Sequence, residues 1–93
     1  MITGICRLEI FLHDSFSLKD KRRALKSLTE RLRAKFNASV AEVGNNDKWQ
    51  VASLGIACVA NSSVQVDRIL DSVMKFIEMD GRFEISGYHI DRV

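Results

Sequence analysis

Ser39-Val40-Ala41-Glu42-Val43-Gly44-Asn45-Asn46-Asp47-Lys48-Trp49-Gln50-Val51-Ala52-Ser53-Leu54-Gly55-Ile56-Ala57-Cys58-Val59-Ala60 is the stretch on which the fold turns. Residues 39–44 and 49–60 are rich in β-branched and small apolar residues. Between them Gly44-Asn45-Asn46-Asp47 is a turn cluster, so the stretch reads as a β-hairpin in the middle of the chain. Working outward, each arm of the hairpin is joined to a helix. Upstream, Leu18, Leu25, Leu28, Leu32 and Phe36 recur at helical spacing and predict a helix over 18–36. Ser17 is its N-cap, Asp20 stands in for the capping-box glutamate, and Asn37 is a left-handed stop. Downstream, Ser62 and Gln65 form a capping box. Val66, Ile69, Leu70, Val73, Phe76 and Ile77 then give the buried stripe of a second helix, to about residue 79.

The ends complete the pattern. Residues 2–13 alternate as a strand, with Gly4, Cys6, Leu8, Ile10 and Leu12 on one face and Ile5, Arg7, Glu9, Phe11 and His13 on the other. Asp80-Gly81 turns the chain into a last strand over 83–91. The order β-α-β-β-α-β predicts a ferredoxin-like α+β sandwich: a four-stranded mixed sheet with two helices on one face. Right-handed crossovers are expected to set the first and third strands side by side and parallel at the centre, leaving the other face open. There are no prolines and no solenoid-length repeats, so residues 1–93 are read as a single domain. The longest uninterrupted apolar run, Leu54–Ala60, is strand-sized and far short of the ~18 residues that cross a bilayer. The N-terminus has no basic leader, which predicts a cytoplasmic protein with no membrane association.

Chemistry has little to stand on. Cys6 and Cys58 lie in runs that read as buried strands, without the paired spacings zinc requires, so they are read as inert core thiols and no metal is expected. Acylphosphatases share this fold but carry a glycine-containing anion loop with an arginine after the first strand. Here that loop is His13-Asp14-Ser15-Phe16-Ser17. His13, Asp14 and His89 lack a neighbouring nucleophile, and the 44–47 turn has too few carboxylates for calcium. The expectation is a protein with neither catalysis nor cofactor.

Charge is the informative feature. The net charge of +2 is ordinary. Eight basic residues, however, fall between positions 19 and 35 with only Asp20 and Glu30 among them, a local charge of +6. The remaining six basic and ten acidic residues leave the rest at −4. Such a molecule attracts polyanions on one side only. At 100° per residue Lys19, Arg22, Arg23, Lys26 and Arg33 gather on one flank of the helix, with Lys21, Arg31 and Lys35 on the other. Cations spread over ~20 Å of helix suit a phosphate backbone, and arginine can grip a phosphate bidentately. A solvated helix, with Glu30 tied to Lys26 and Arg33, or an acidic protein partner would explain the same charges. Lys19, Lys21, Arg22, Arg23, Lys26 and Arg33 are the candidate nucleic-acid-binding residues.

The open sheet face is the second candidate surface. RNA-recognition motifs, which share the fold, stack bases on aromatics of the first and third strands. This chain presents Trp49, Val51, Ser53, Gly55, Ala57 and Val59 from its third strand and lacks that family's signature. A flat apolar face of this kind is better covered by a second copy of the chain, which predicts a possible homodimer. Glu42, Asp47, Trp49 and Gln50 cluster at one hairpin end, either as turn packing or as a recognition edge for a partner.

Leu18-Lys19-Asp20-Lys21-Arg22, Phe36-Asn37-Ala38-Ser39-Val40-Ala41-Glu42-Val43-Gly44, Asp47-Lys48-Trp49-Gln50 and Leu54-Gly55-Ile56-Ala57 resemble the DUF503, or YlxP-like, small bacterial proteins over essentially the whole chain. That resemblance implies a ferredoxin-like fold. It also implies a gene neighbourhood, in many bacteria, among transcription-elongation, translation-initiation and ribosome-maturation factors. The matching basic residues are Lys19, Lys21 and Arg22. The expectation is a small non-enzymatic RNA-binding accessory protein acting near translation or ribosome assembly. The alternative is an interaction or regulatory module that self-associates through the sheet, with no nucleic-acid role.

Overall fold

The computed structural model describes all 93 residues. In chain order it contains β1 (Ile2–Leu12), α1 (Leu18–Lys35), β2 (Ser39–Gly44), β3 (Val51–Ala60), α2 (Ser63–Met79) and β4 (Phe83–Arg92). The strands form one sheet in the order β2-β3-β1-β4. Every neighbouring pair is antiparallel, so the expected mixed sheet with β1 and β3 parallel is corrected. The reason lies in the hairpin. The α1 crossover brings β2 back in the same direction as β1 but leaves a gap, and the tight turn sends β3 down that gap in the opposite direction.

Alternation decides which residues meet the helices. Cys6 lies opposite Ile56, Leu8 opposite Leu54 and Ile10 opposite Ala52, and all six are buried. Leu25, Leu28 and Leu32 of α1 and Val66, Leu70, Val73 and Ile77 of α2 close over them. Gly4 lets α2 approach: a Cβ at that position would stand 2.4 Å from Val66 Cγ1. Cys6 and Cys58 are free and buried, and burial is the main cause that pushes both thiols above their ordinary pKa.

The helix ends follow the capping expectation with two differences. Ser17 Oγ accepts from the Asp20 N–H at 3.0 Å, and Ser62 Oγ accepts from the Gln65 N–H at 3.2 Å. Asp20 Oδ2 accepts from Phe16 N–H at 3.2 Å, one residue further back than a capping box requires. At the other end Asn37 is not left-handed. Phe36 leaves the helix in an extended conformation and packs edge-on against Phe76, at 5.8 Å between centroids. This aromatic contact redirects the chain without a positive φ. The one non-glycine residue with positive φ is Asn45, at 59° in the β2–β3 turn, a conformation asparagine tolerates.

Candidate nucleic-acid interface

The basic segment becomes α1, and burial divides its charges into three groups. Lys19, Arg22, Arg23, Lys26 and Arg33 are exposed. Helical geometry sets them on the β2 flank and solvent side over about 21 Å. Lys19, Arg22, Arg23 and Lys26 have no carboxylate within ion-pair distance, and Glu30 pairs with neither Lys26 nor Arg33. Arg33 Nη2 donates to the Val40 carbonyl at 2.6 Å, which fixes the guanidinium against β2 and leaves its other N–H groups available.

The second group faces α2. Arg31 Nη2 lies 2.6 Å from Asp80 Oδ2, and Arg31 and Lys35 sit over the Phe76 ring at 5.6 and 5.2 Å. Asp80 also accepts from Arg82, whose hydrogen bonds are the largest cause holding the Asp80 carboxyl far below the usual carboxylate range. These cations are already neutralised or stacked.

Lys21 forms the third group and is a correction. It is 1% exposed, so no phosphate can reach it. Its Nζ donates to the carbonyls of Asn45 at 2.6 Å and Lys48 at 2.7 Å, and lies 2.8 Å from Glu42 Oε2. Glu42 Oε2 is itself buried and has no hydrogen-bond partner, so this contact is an ion pair rather than an aligned hydrogen bond. A sequence signal for this existed: 18, 21, 25, 28 and 32 form one helical stripe, and Lys21 occupies its buried centre. Lys21 still serves the surface indirectly. Arg22, Lys26 and Arg33 face β2 across a groove of about 280 Å³, and Glu42 is the one carboxylate lining it.

The open face differs from the flat apolar surface expected. Ile5, Val43 and Val59 are exposed, and alternation puts them on that face. Its middle is polar. Arg7 Nε donates to Glu9 Oε1 at 3.0 Å, Ser53 Oγ hydrogen-bonds Glu9 Oε2, and Asn45 Nδ2 donates to Ser53 Oγ at 2.8 Å. The Ser53 contact and then the Arg7 contact lower the Glu9 pKa. The left-handed Asn45 curls the turn over this face and buries Ser53 completely.

Sequence reasoning did not single out Phe16. It precedes the α1 N-cap, is 72% exposed, and stands 6.5 Å from the Trp49 ring centroid at an interplanar angle of 36°. The buried Ser15 hydroxyl bridges to the carbonyls of Ser17 and Trp49, tying the start of α1 to the β2–β3 loop. An exposed phenylalanine in a loop carries no periodicity signal, so only the tertiary contact reveals the pair.

A βαββαβ sandwich with one helix-covered face defines a ferredoxin-like α+β protein, and two solved structures agree. One is the solution NMR structure of a de novo designed protein, LFR1 1, with ferredoxin fold. Its TM-score is 0.57 at 14% identity, over 100% of this chain and 84% of that one. The other is the de novo designed protein Foldit4, with TM-score 0.54 and 14% identity, over 98% and 96% of the two chains. At this identity the likeness concerns the fold alone. The chain belongs to the family described as "Protein of unknown function (DUF503)", whose model matches residues 3–90. It is also 43% identical over 75 residues to the "Uncharacterized protein YlxP" of Bacillus subtilis (strain 168), covering 81% of this chain and 82% of that protein. No helix is long and apolar enough to cross a membrane.

Proposed function

We propose that this protein is a non-enzymatic RNA-binding accessory protein whose α1 lies along a phosphate backbone. The observation that carries this is the flank of five exposed cations, none with an ion-pair partner and only Arg33 engaged by a hydrogen bond, to the Val40 carbonyl. Unpaired surface lysines and arginines release counterions from a polyanion without first breaking protein contacts. Action near translation or ribosome assembly is supported by the gene neighbourhood that the family resemblance implies. The test is a titration of RNA with the wild type and with an Arg22→Ala/Arg23→Ala/Lys26→Ala variant at about 50 and 200 mM salt. The variant should bind more weakly with a flatter salt dependence, and equal binding would sink the reading.

A second reading has its own observation: Ile5, Val43 and Val59 are each close to half exposed. In that reading the sheet face pairs two copies around the Arg7–Glu9 cluster, and the protein is an interaction module. Sedimentation over a concentration series tests it, with Ala57→Lys expected to split the assembly. A wild type that stays monomeric throughout removes it.

A further inference from the structure

We infer that the end of the molecule formed by Phe11, Phe16 and Trp49 is a base-stacking seat, so that the RNA bound along α1 is single-stranded. This deepens the reading of α1 as a phosphate-binding surface and rests on it. Phe16 and Trp49 are 72% and 42% exposed, an expensive placement for two large rings that nothing in the fold of the chain requires.

The backbone that carries both rings is held in place. The Phe16 N–H is bonded to Asp20, and the Trp49 carbonyl is bonded to the buried Ser15. The loop before Trp49 is fastened by Lys21 through the carbonyls of Asn45 and Lys48. Exposed aromatics on an anchored backbone suit stacking, because little backbone ordering entropy remains to be lost on binding.

A groove of about 470 Å³ opens beside Trp49, lined by Phe11, Asp47, Lys48, Trp49, Gln50 and Val51. Its size is within the range of small-molecule sites. The charges around it sort base from backbone. Asp47 repels a phosphate inside the groove but can accept a hydrogen bond from an exocyclic amine, and the Gln50 amide can donate or accept. Lys48, which lines the groove with Trp49, and Lys19, three residues after Phe16 in the chain, are exposed and have no ion pair. They suit the phosphates on either side of a stacked base. From Lys19 the strand continues onto Arg22, Arg23 and Lys26. An acidic protein partner would meet the same rings and cations, but it does not need flat, unobstructed ring faces beside a phosphate-sized row of charges, and it is an outcome of the test below. A duplex keeps its bases stacked on each other and has no face to offer the rings.

Trp49 is the only tryptophan, so its fluorescence reports this seat directly. The experiment titrates the full-length protein with a single-stranded RNA of about ten nucleotides, and with a hairpin of the same sequence content. The single strand should quench Trp49 and bind about tenfold more tightly than the hairpin. Phe16→Ala should weaken the single strand about fivefold while leaving its salt slope unchanged, since no charge is lost. Phe16 is exposed, and circular dichroism should show the variant folded. If both RNAs bind equally and Trp49 stays silent, the seat is overturned while the α1 interface stands, and the rings belong to a protein partner. If neither RNA binds, the α1 reading falls and takes this inference with it.

Discussion

Lys21 Nζ lies 2.8 Å from Glu42 Oε2, inside the protein, with the carbonyls of Asn45 and Lys48 as its other partners. This contact joins the first turns of α1 to the end of β2 and to the loop that carries Trp49. Lys21→Met keeps the aliphatic stem but leaves the Glu42 charge and two carbonyls without their cation. Such a loss at a buried pair destabilises by about 3 kcal/mol, which urea unfolding would detect. Lys21→Met/Glu42→Leu should recover part of the loss, because the uncompensated charge goes too. A single variant as stable as the wild type would show that the pair contributes nothing net.

Gly4 carries a prediction about helix docking. A methyl group there meets Val66 Cγ1 at 2.4 Å, with Cys58 Sγ and Leu70 Cδ1 within 3.3 Å. Gly4→Ala should therefore push α2 off the sheet and lower stability by about 2 kcal/mol. Gly4→Ala/Val66→Ala should behave better than additively, since the second change removes the obstructing atom. Thermal unfolding of the two single variants and the double variant tests this.

Asp80 sets part of the acid sensitivity. Its carboxyl, held far below its ordinary value of 3.8 by Arg82 and then Arg31, gives stability that is complete above that value. As pH falls below about 4 the unfolded chain takes up the proton first, and the stability is progressively lost. Asp80→Asn should cost about 2 kcal/mol at neutral pH. The gap to the wild type should narrow as pH drops from about 4 to about 2. A gap constant across that range would mean that the native carboxyl is not depressed.

The two flanks of α1 should behave differently toward RNA. Removing Arg22, Arg23 and Lys26 should reduce the slope of log affinity against log salt by about 2, from ~0.7 per phosphate contact on a single strand. Arg31→Ala should leave that slope unchanged, because its guanidinium is already held by Asp80 and Phe76. Equal effects from both flanks would point to a diffuse field rather than a binding row.

The element order was legible because alternation in 2–12 and 51–60 and the 3.6-residue recurrence in both helices are local signals. The basic flank proposed as an interface was legible in outline for the same reason: Lys19, Arg22, Arg23, Lys26 and Arg33 share a flank by helical geometry alone. Lys21 was misassigned to the surface, and Phe16 was not singled out. The fate of Lys21 depends on three atoms at positions 42, 45 and 48, and that of Phe16 on a ring at position 49. The polar middle of the open face escaped notice because Asn45 reaches Ser53 and Glu9 only after the turn has curled over the sheet.

The sequence by itself determined which segments are strands and helices, which side chains point inward, and that positive charge collects in one helix. Those properties follow from hydrophobic period and residue type within a few turns of chain. Only the tertiary structure decided that the sheet is antiparallel throughout, that one of the eight cations is interior and two others are occupied by Asp80 and Phe76, and that two aromatic rings stand beside the rest. Each of these depends on which distant groups are brought within a few ångströms, because ion pairing and burial are properties of neighbours in space.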